Sequence, residues 1–351
     1  MKYDYIIVGQ GIAGTLLTHF LIKNGQQVLV IDNGYLTSSS KVAAGIVNPI
    51  TGRRYVKSWM FETLLSFAQE TYQELSESLN INCFEERNIV RVLFNNKEEN
   101  DYYARSGEVG YSKFMLETPD NTEYESIINP IFSIGEVTHS GKVNLGLIMS
   151  AYRKQLENNN QILSEQFDFQ QLTLNNDQVN YKNITAKHII FCEGIKGTEN
   201  PFFSYLPFNG AKGQVLIVRI PNFKPQKIFK HRIFFVPLED DLFWVGATNE
   251  NEYSDNLPTE KGRINLEKKL SKIINIPYEI IDHQAAIRPN VKDRRPFIGQ
   301  HPKFNNMLIF NGLGTKGSSL APYFANHFVE HLLHEKPLMK EVNIKRYKIE
   351  S

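Results

Sequence analysis

Cysteine is almost missing from this chain. Its 351 residues hold two, Cys83 and Cys192. That excludes a disulfide scaffold and a cysteine-built metal site, and no metal centre is expected. Net charge is missing as well: 39 basic against 38 acidic residues leave +1. A dedicated nucleic-acid binder would carry a marked basic excess, and a polybasic membrane anchor a local one. No stretch approaches the roughly 18 uninterrupted apolar residues of a membrane span. The start, Met1-Lys2-Tyr3-Asp4, lacks the basic, long-apolar and small-residue regions of a signal peptide. Internal repeats and long low-complexity tracts are absent too. A reducing, cytoplasmic setting is therefore expected. What is present is ordinary globular material: 41% apolar and 22% charged residues, in a length that suggests about two domains at roughly 150 residues each.

The opening 45 residues carry the first chemistry. Tyr5-Ile6-Ile7-Val8 reads as a strand and runs into Gly9-Gln10-Gly11-Ile12-Ala13-Gly14. A helical pattern of Leu16, Leu17, Phe20 and Leu21 follows and stops at Asn24-Gly25. A second strand, Gln27 to Ile31, ends at Asp32 and Asn33. Gly9 allows the tight turn, Gly11 lets a pyrophosphate approach the backbone, and Gly14 lets the helix pack close to the strand. The helix start offers N–H groups and a positive dipole end to phosphate. Asp32, 18 positions beyond Gly14, suits ribose hydroxyls and repels a 2′-phosphate. This is a dinucleotide-binding fingerprint in its proper context, and it does not by itself separate NAD from FAD.

The next segment separates them. Ser38-Ser39-Ser40-Lys41-Val42-Ala43-Ala44-Gly45-Ile46 is small and polar, then small and apolar. Small side chains let backbone lie against a flat ring, and serine hydroxyls can reach phosphate. Following a dinucleotide fingerprint, this segment resembles the flavin-binding stretch of the D-amino-acid oxidase family, FAD enzymes that include glycine oxidase and sarcosine oxidase. The resemblance extends from Tyr5 to about Leu333. Lys187 to Phe191, then Cys192-Glu193-Gly194, is similar to the family's strand before a second flavin-contacting turn. Gly210 to Val218 resembles the strand that re-enters the substrate domain. Phe234-Phe235-Val236-Pro237 and Leu242 to Thr248 resemble the antiparallel sheet that roofs the flavin. Ala285-Ala286-Ile287-Arg288-Pro289, Asp293 and Pro296-Phe297-Ile298-Gly299 resemble the family's late signature. The strand Met307 to Phe310, the loop Asn311 to Ser319 and a helix from Leu320 to Leu333 close the set.

The resemblance implies an α/β fold with an α+β second part: a Rossmann-like FAD/NAD(P)-binding domain interleaved with an antiparallel-sheet substrate domain. Residues 1–80, 140–210 and 286–351 would form the first, 81–139 and 211–285 the second. It assigns to the cofactor Gly9, Gly11, Ile12, Ala13, Gly14, Asp32 and Asn33, and then Ser39, Ser40, Ala43, Ala44, Gly45 and Ile46. It adds Phe167 at the end of an expected strand from Ile162 to Phe169, Cys192, Glu193 and Gly194, and the late loop Gly312, Gly314, Thr315, Lys316, Gly317 and Ser318. FAD is expected to be non-covalent, because no cysteine stands where covalent members attach it. Cys192 reads as a buried small hydrophobe.

The candidate catalytic group is Arg288, Lys316 and His283. A guanidinium clamps a carboxylate with two parallel hydrogen bonds, and the family's arginine at this Arg-Pro step does so. Pairing of Arg288 with an acid such as Asp293 is its structural alternative. Lys316, at a helix start, would stabilise negative charge on the reduced flavin. His283 and Gln284, just upstream of Arg288, can line the pocket, and a structural role is the alternative for His283. No acid or base announces itself, which suits the family's favoured chemistry, hydride transfer from the substrate α-carbon to flavin N5.

Departures from the family leave the substrate open. Phe234 replaces a tyrosine of glycine oxidase-like members, and Trp244 stands near the lysine that helps oxygen react in sarcosine oxidase-like ones. The late loop offers Thr315 and Lys316 where a second carboxylate-binding arginine would be. The first reading is a small-amine or amino-acid oxidoreductase of the glycine, sarcosine or D-amino-acid kind, using O2 or another electron acceptor. A second is an oxidase of a carboxymethylaminomethyl-type modified tRNA uridine, since the late segment also resembles the oxidase half of a bifunctional tRNA-modifying enzyme. The near-zero charge speaks against it. A third is an electron-transfer or binding flavoprotein without a substrate of its own. Oligomeric state is not legible.

Overall fold

The computed structural model describes residues 2–34, 37–175 and 178–348. The chain ends of the expected first domain, 1 and 349–351, lie outside them.

The opening motif folds as its residues dictate. The strand Lys2–Val8 leads to the helix Ile12–Lys23 and the strand Val28–Ile31. Val28–Ile31 lies parallel to the first strand, Val8 opposite Ile31. On its other side the first strand pairs in parallel with Ile184–Phe191, Val8 opposite Phe191. The last three residues of that strand pair in parallel with Met307–Asn311, Phe191 opposite Ile309. Toward their carboxyl ends the first three strands are apolar and buried, over residues 5–8, 28–31 and 189–191, and so are residues 307–310 of the fourth, as parallel strands covered on both faces must be. Because all four run the same way, the turns after Val8, Ile31, Phe191 and Asn311 emerge at one edge. That carboxyl edge is where an open α/β sheet binds its ligands.

The closing helix Gly317–His334 packs against Ile12–Lys23 on one side and Phe61–Leu79 on the other. The apolar spacing predicts a helix over 61–79, and the structure has it. The helix buries Phe61, Leu64, Leu65, Ala68, Tyr72 and Leu75, each large side chain contributing about 1.5–3 kcal/mol. Its buried stripe meets Phe324, Ala325 and Phe328 in the same core.

A second, mostly antiparallel sheet stands over the edge of the first. Its order is Glu279–Arg288, Ala211–Arg219, Leu242–Gly246, Phe234–Pro237, Ile228–Lys230, Ile89–Leu93, Ser133–Val137, Met115–Leu116. The hairpin expected from Phe234 to Thr248 is present, with Phe234 opposite Gly246. Strand alternation gives the sheet two characters. Leu216, Val218, Phe235, Phe243 and Val245 face a core closed by Leu266 and Leu270 of the helix Glu260–Leu270. Gly213, Val215, Phe234, Trp244, Gly246 and Ala286 face the other way, toward the first sheet's carboxyl edge.

Two expectations change. The strand expected from Ile162 to Phe169 is only Ile162–Leu163, because Asp168 accepts the Gln170 N–H and starts a short 3₁₀ turn. The charged stretch 259–275 reads from its sequence as a helix, but the helix ends at Leu270, and Ile273 and Ile274 beyond it turn inward into the core. Among the described residues no helix is long and apolar enough to cross a membrane.

Candidate active site

A cavity of about 1090 Å³ lies between the two sheets. Its floor is the set of turns at the carboxyl edge, and its roof is the face of the antiparallel sheet that carries Gly213, Phe234, Trp244 and Gly246.

The first turn is built by steric exclusion. Gly9 has φ +100°, and a Cβ on it would sit 2.7 Å from the Cys192 carbonyl oxygen; one on Gly14 would sit 1.9 Å from the Gly9 carbonyl oxygen. The strand, its turn and the following helix therefore interlock only with glycine. The helix starts at Gly11 without a side-chain cap, and the Ile12 N–H donates to Ser40 Oγ at 3.1 Å. Ser39 and Ser40 belong to a one-turn helix, Ser39–Val42, where small loop residues were expected. The Val42 carbonyl of that turn accepts the Trp244 indole N–H at 2.8 Å, tying floor to roof. Gly45, at φ +72°, passes so close to Val143 that a Cβ would lie 1.9 Å from its carbonyl oxygen.

Asp32 closes the nucleotide end. Its carboxylate accepts the Gln10 N–H at 2.9 Å, the Gly34 N–H at 2.7 Å and Arg153 Nη1 at 2.8 Å. Arg153 comes from the helix Leu145–Asn158. No motif names it, because its role exists only once that helix lies beside the second strand. Asn33 and Phe167 line the same end.

The second turn holds Cys192, Glu193 and Gly194, all at the cavity. Burial pushes the Cys192 thiol up, far from a thiolate. Burial also pushes the Glu193 carboxyl up to about 7, although Asn200 Nδ2 donates to it at 2.7 Å and Lys196 lies nearby. Asn311 links this turn to the late loop: its Nδ2 donates to the Gly194 carbonyl at 2.9 Å, and its Oδ1 accepts the Gly312 N–H at 2.8 Å. The residues Asn311, Gly314, Thr315, Lys316, Gly317 and Ser318 all line the cavity. Gly312, at φ +75°, forms the turn beside them. The closing helix also starts without a side-chain cap, and Ser318 Oγ donates to the Ile46 carbonyl at 3.3 Å. Lys316 Nζ donates to Ser58 Oγ at 3.1 Å. Burial, with Arg295 and Arg294 near, pulls its ammonium down from the ordinary lysine range.

Arg288 stands at the roof. Its guanidinium covers Gly213 so closely that a Cβ there would lie 2.1 Å from Nη2. Nη2 donates to the Thr248 carbonyl at 3.2 Å. Burial lowers its pKa and Glu250 opposes that shift, but a guanidinium stays charged. The structural alternative for it fails, because Asp293 is taken elsewhere: Arg346 Nε and the Tyr347 hydroxyl each donate to it at 2.8 Å.

His283 requires a correction. It lies opposite Leu216, on the sheet face that looks away from the cavity, and it is not among the lining residues. Burial and Arg263 lower its pKa, while Asp282, Glu260 and Glu267 raise it. Strand parity decides this: Ala286 and Arg288 point into the cavity, so an odd-numbered neighbour points to the helix Glu260–Leu270. Gln284 shares their parity but instead donates to Asp282 at 2.7 Å.

The residues present suit FAD. Two glycine turns with no room for a Cβ, two uncapped helix starts and a fixed carboxylate line one continuous cavity that ends under Arg288. Gly9, Gly11 and the first turn of Ile12–Lys23 would hold the pyrophosphate and Asp32 the ribose, while the start of the closing helix would meet the flavin. Among the described residues no group of three or more histidines, cysteines and acids is placed to hold a metal.

Comparison with known proteins agrees with this reading. The model of a family described as FAD dependent oxidoreductase matches residues 4–331. The bifunctional protein ThiO/ThiG of Nostoc sp. is 25% identical over 378 aligned positions, covering 99% of this chain but 55% of that protein. The chain thus spans about half the length of that relative. Glycine oxidase of Pseudomonas putida is 22% identical over 97% of each chain. Among solved structures, iminodiacetate oxidase from Chelativorans sp. superposes with a TM-score of 0.80 at 18% identity, covering 98% of each chain. With a family match from Asp4 to His331 and a site that suits the cofactor, the chain belongs to the FAD-dependent oxidoreductase (DAO) family.

Proposed function

We propose that this oxidoreductase acts on the C–N bond of a small amine or amino acid, with Arg288 holding the substrate carboxylate and FAD bound non-covalently. The observation that carries the reading is the state of Arg288. It reaches into the FAD cavity from the roof, over a glycine that leaves it room, and makes no ion pair among the described residues. A half-buried guanidinium with spare donors is suited to a planar anion. The relatives and neighbours add support, since glycine oxidase and iminodiacetate oxidase are both named for amino or imino acids.

Bound FAD supplies a two-electron acceptor. The chain's own residues orient and enclose: Arg288 fixes the carboxylate, Phe234 and Trp244 keep water from the roof, and Lys316 with the closing helix favours negative charge at the floor. Among the described lining residues there is no histidine, so alignment rather than a strong base carries much of the rate. The exposed lining carries both signs, Arg232 against Glu199 and Asp255, which favours a small molecule over an RNA backbone. The two sheets support the interleaved division of domains proposed from sequence. Two unpaired, buried cysteines suit a reducing, cytoplasmic setting. The electron acceptor is O2 or another oxidant.

The test is anaerobic mixing of the holoprotein with glycine, N-methylglycine, proline and D-amino acids while following flavin absorbance. Bleaching by at least one of them is expected. A flavin that stays oxidised with every amine overturns the reading.

A further inference from the structure

The far side of the roof holds a second basic group that the reading above does not use. Crossing the sheet through directly opposed residues, the row runs Val215, Gly246, Phe234, Lys230, Arg91. Lys230 and Arg91 are therefore register partners on neighbouring strands, like charges placed side by side, which costs stability unless an anion compensates them. Lys230 lines the cavity. Among the described residues it meets no carboxylate; its ammonium lies over the Phe234 ring, 4.6 Å from the centroid. Arg91 stands behind it, over the Tyr55 ring at 4.4 Å, with Nη2 donating to the Gly52 carbonyl at 2.9 Å. Its Nη1 is buried without a hydrogen-bond partner. Arg232, also lining the cavity, lies over the Phe94 ring at 3.8 Å.

Aromatic faces attract cations, but they cancel no charge. Lys230 and Arg232 at one end of the cavity, with Arg91 behind Lys230 and none of the three ion-paired among the described residues, form a site prepared for an anion. Burial and the Arg91 charge push the Lys230 ammonium down to about 8, as expected of a cation lacking its counter-charge. Lys230 is three strands from Gly213, the glycine under Arg288. At about 4.8 Å per strand, the two cationic ends are separate positions, with Phe234 lying between them.

We propose that the substrate carries two anionic groups. Arg288 takes the carboxylate beside the reacting carbon, and Lys230, backed by Arg91 and Arg232, takes a second anionic head, carboxylate or phosphate, at the other end of an amino acid or N-substituted glycine. This rests on Arg288 as the first carboxylate site, and it narrows the substrate from small amines in general to dianionic ones.

The holoprotein is titrated with non-oxidisable acids: monocarboxylates, dicarboxylates of increasing chain length and matching phosphonocarboxylates. Binding is read from the perturbed flavin spectrum, so no turnover is needed. The best dianion is expected to bind at least roughly tenfold tighter than the monocarboxylate of equal length. Whether the carboxylate or the phosphonate series binds tighter identifies the second head. Lys230→Met is expected to bring the dianion down to the monocarboxylate affinity, and Lys230→Arg to keep the preference, both variants retaining stoichiometric FAD. Equal affinity for mono- and dianions, or a preference that survives Lys230→Met, overturns the subsite. A dianion preference in a protein whose flavin no amine bleaches would leave the subsite standing and remove the C–N reading instead.

Discussion

The buried hydroxyl of Tyr72 donates to the Ser318 carbonyl at 2.8 Å. That carbonyl lies one helical turn before Pro322, the proline inside the closing helix. Proline has no N–H for the carbonyl four residues back, so the helix Phe61–Leu79 supplies the missing donor. The first turn of the closing helix, which lines the cavity, is thereby tied to the helix Phe61–Leu79.

Tyr72→Phe is expected to cost about 1–2 kcal/mol by leaving a buried carbonyl unpaired. A melting point lower by a few degrees checks this. In a Pro322→Ala background the restored N–H takes over the carbonyl, and Tyr72→Phe should cost clearly less. Equal costs in the two backgrounds would sink the link.

Arg288→Gln is expected to weaken amino-acid binding by roughly a hundredfold, since it replaces a charge-assisted bidentate clamp by a neutral amide. FAD content and the spectrum of the oxidised flavin should be unchanged. A purely structural Arg288 would instead lower FAD content and melting point while sparing substrate affinity.

Arg153→Met is expected to weaken FAD binding by a few-fold to roughly tenfold, because Asp32 loses one of its three donors while remaining partly exposed. Fluorescence titration of the apoprotein with FAD measures it. An unchanged affinity would show that the two backbone N–H groups suffice.

Glu193 adds a pH dependence. Folding raises its carboxyl from 4.5 to about 7, chiefly through burial. Between those values the folded chain keeps a proton that the unfolded chain has lost. The stability tied to this group therefore falls as pH rises through that window and stays low above it. Glu193→Gln cannot ionise, so its melting point should gain on the wild type from about pH 5 to about pH 8. Parallel curves across that range would place the Glu193 titration elsewhere.

Much of the site was legible because it lies in local strings. Gly9, Gly11, Gly14 and Asp32 sit where strand, turn, helix and strand follow one another, and 61–79 declares its helix by spacing. The resemblance carried Arg288 and the Gly312–Ser318 loop. Between a pocket-lining and a structural His283 the sequence does not choose, because proximity to Arg288 says nothing of face: on a strand, odd and even neighbours look to opposite sides, and His283 looks away from the cavity. Arg153, Ser58 and Lys230 carry no motif, and their roles, like the Asn311 bond to Gly194, arise from elements distant in the chain. Trp244 was noted for a missing lysine; its indole bond to Val42 comes from packing.

By itself the sequence determined the cofactor class. Strand, glycine turn and helix in succession, an acid at the end of the next strand and a small-residue segment that resembles a flavin-binding stretch are strings of near neighbours, whereas the Cys192 carbonyl that bars a Cβ from Gly9 comes from far along the chain. The tertiary structure alone decided which cations meet in the cavity. Arg288 was freed when Asp293 turned to Arg346 and Tyr347. Lys230 was set beside Arg91 by a parallel pairing of strands more than a hundred residues apart. Charge compensation depends on distance in space, which chain order does not encode.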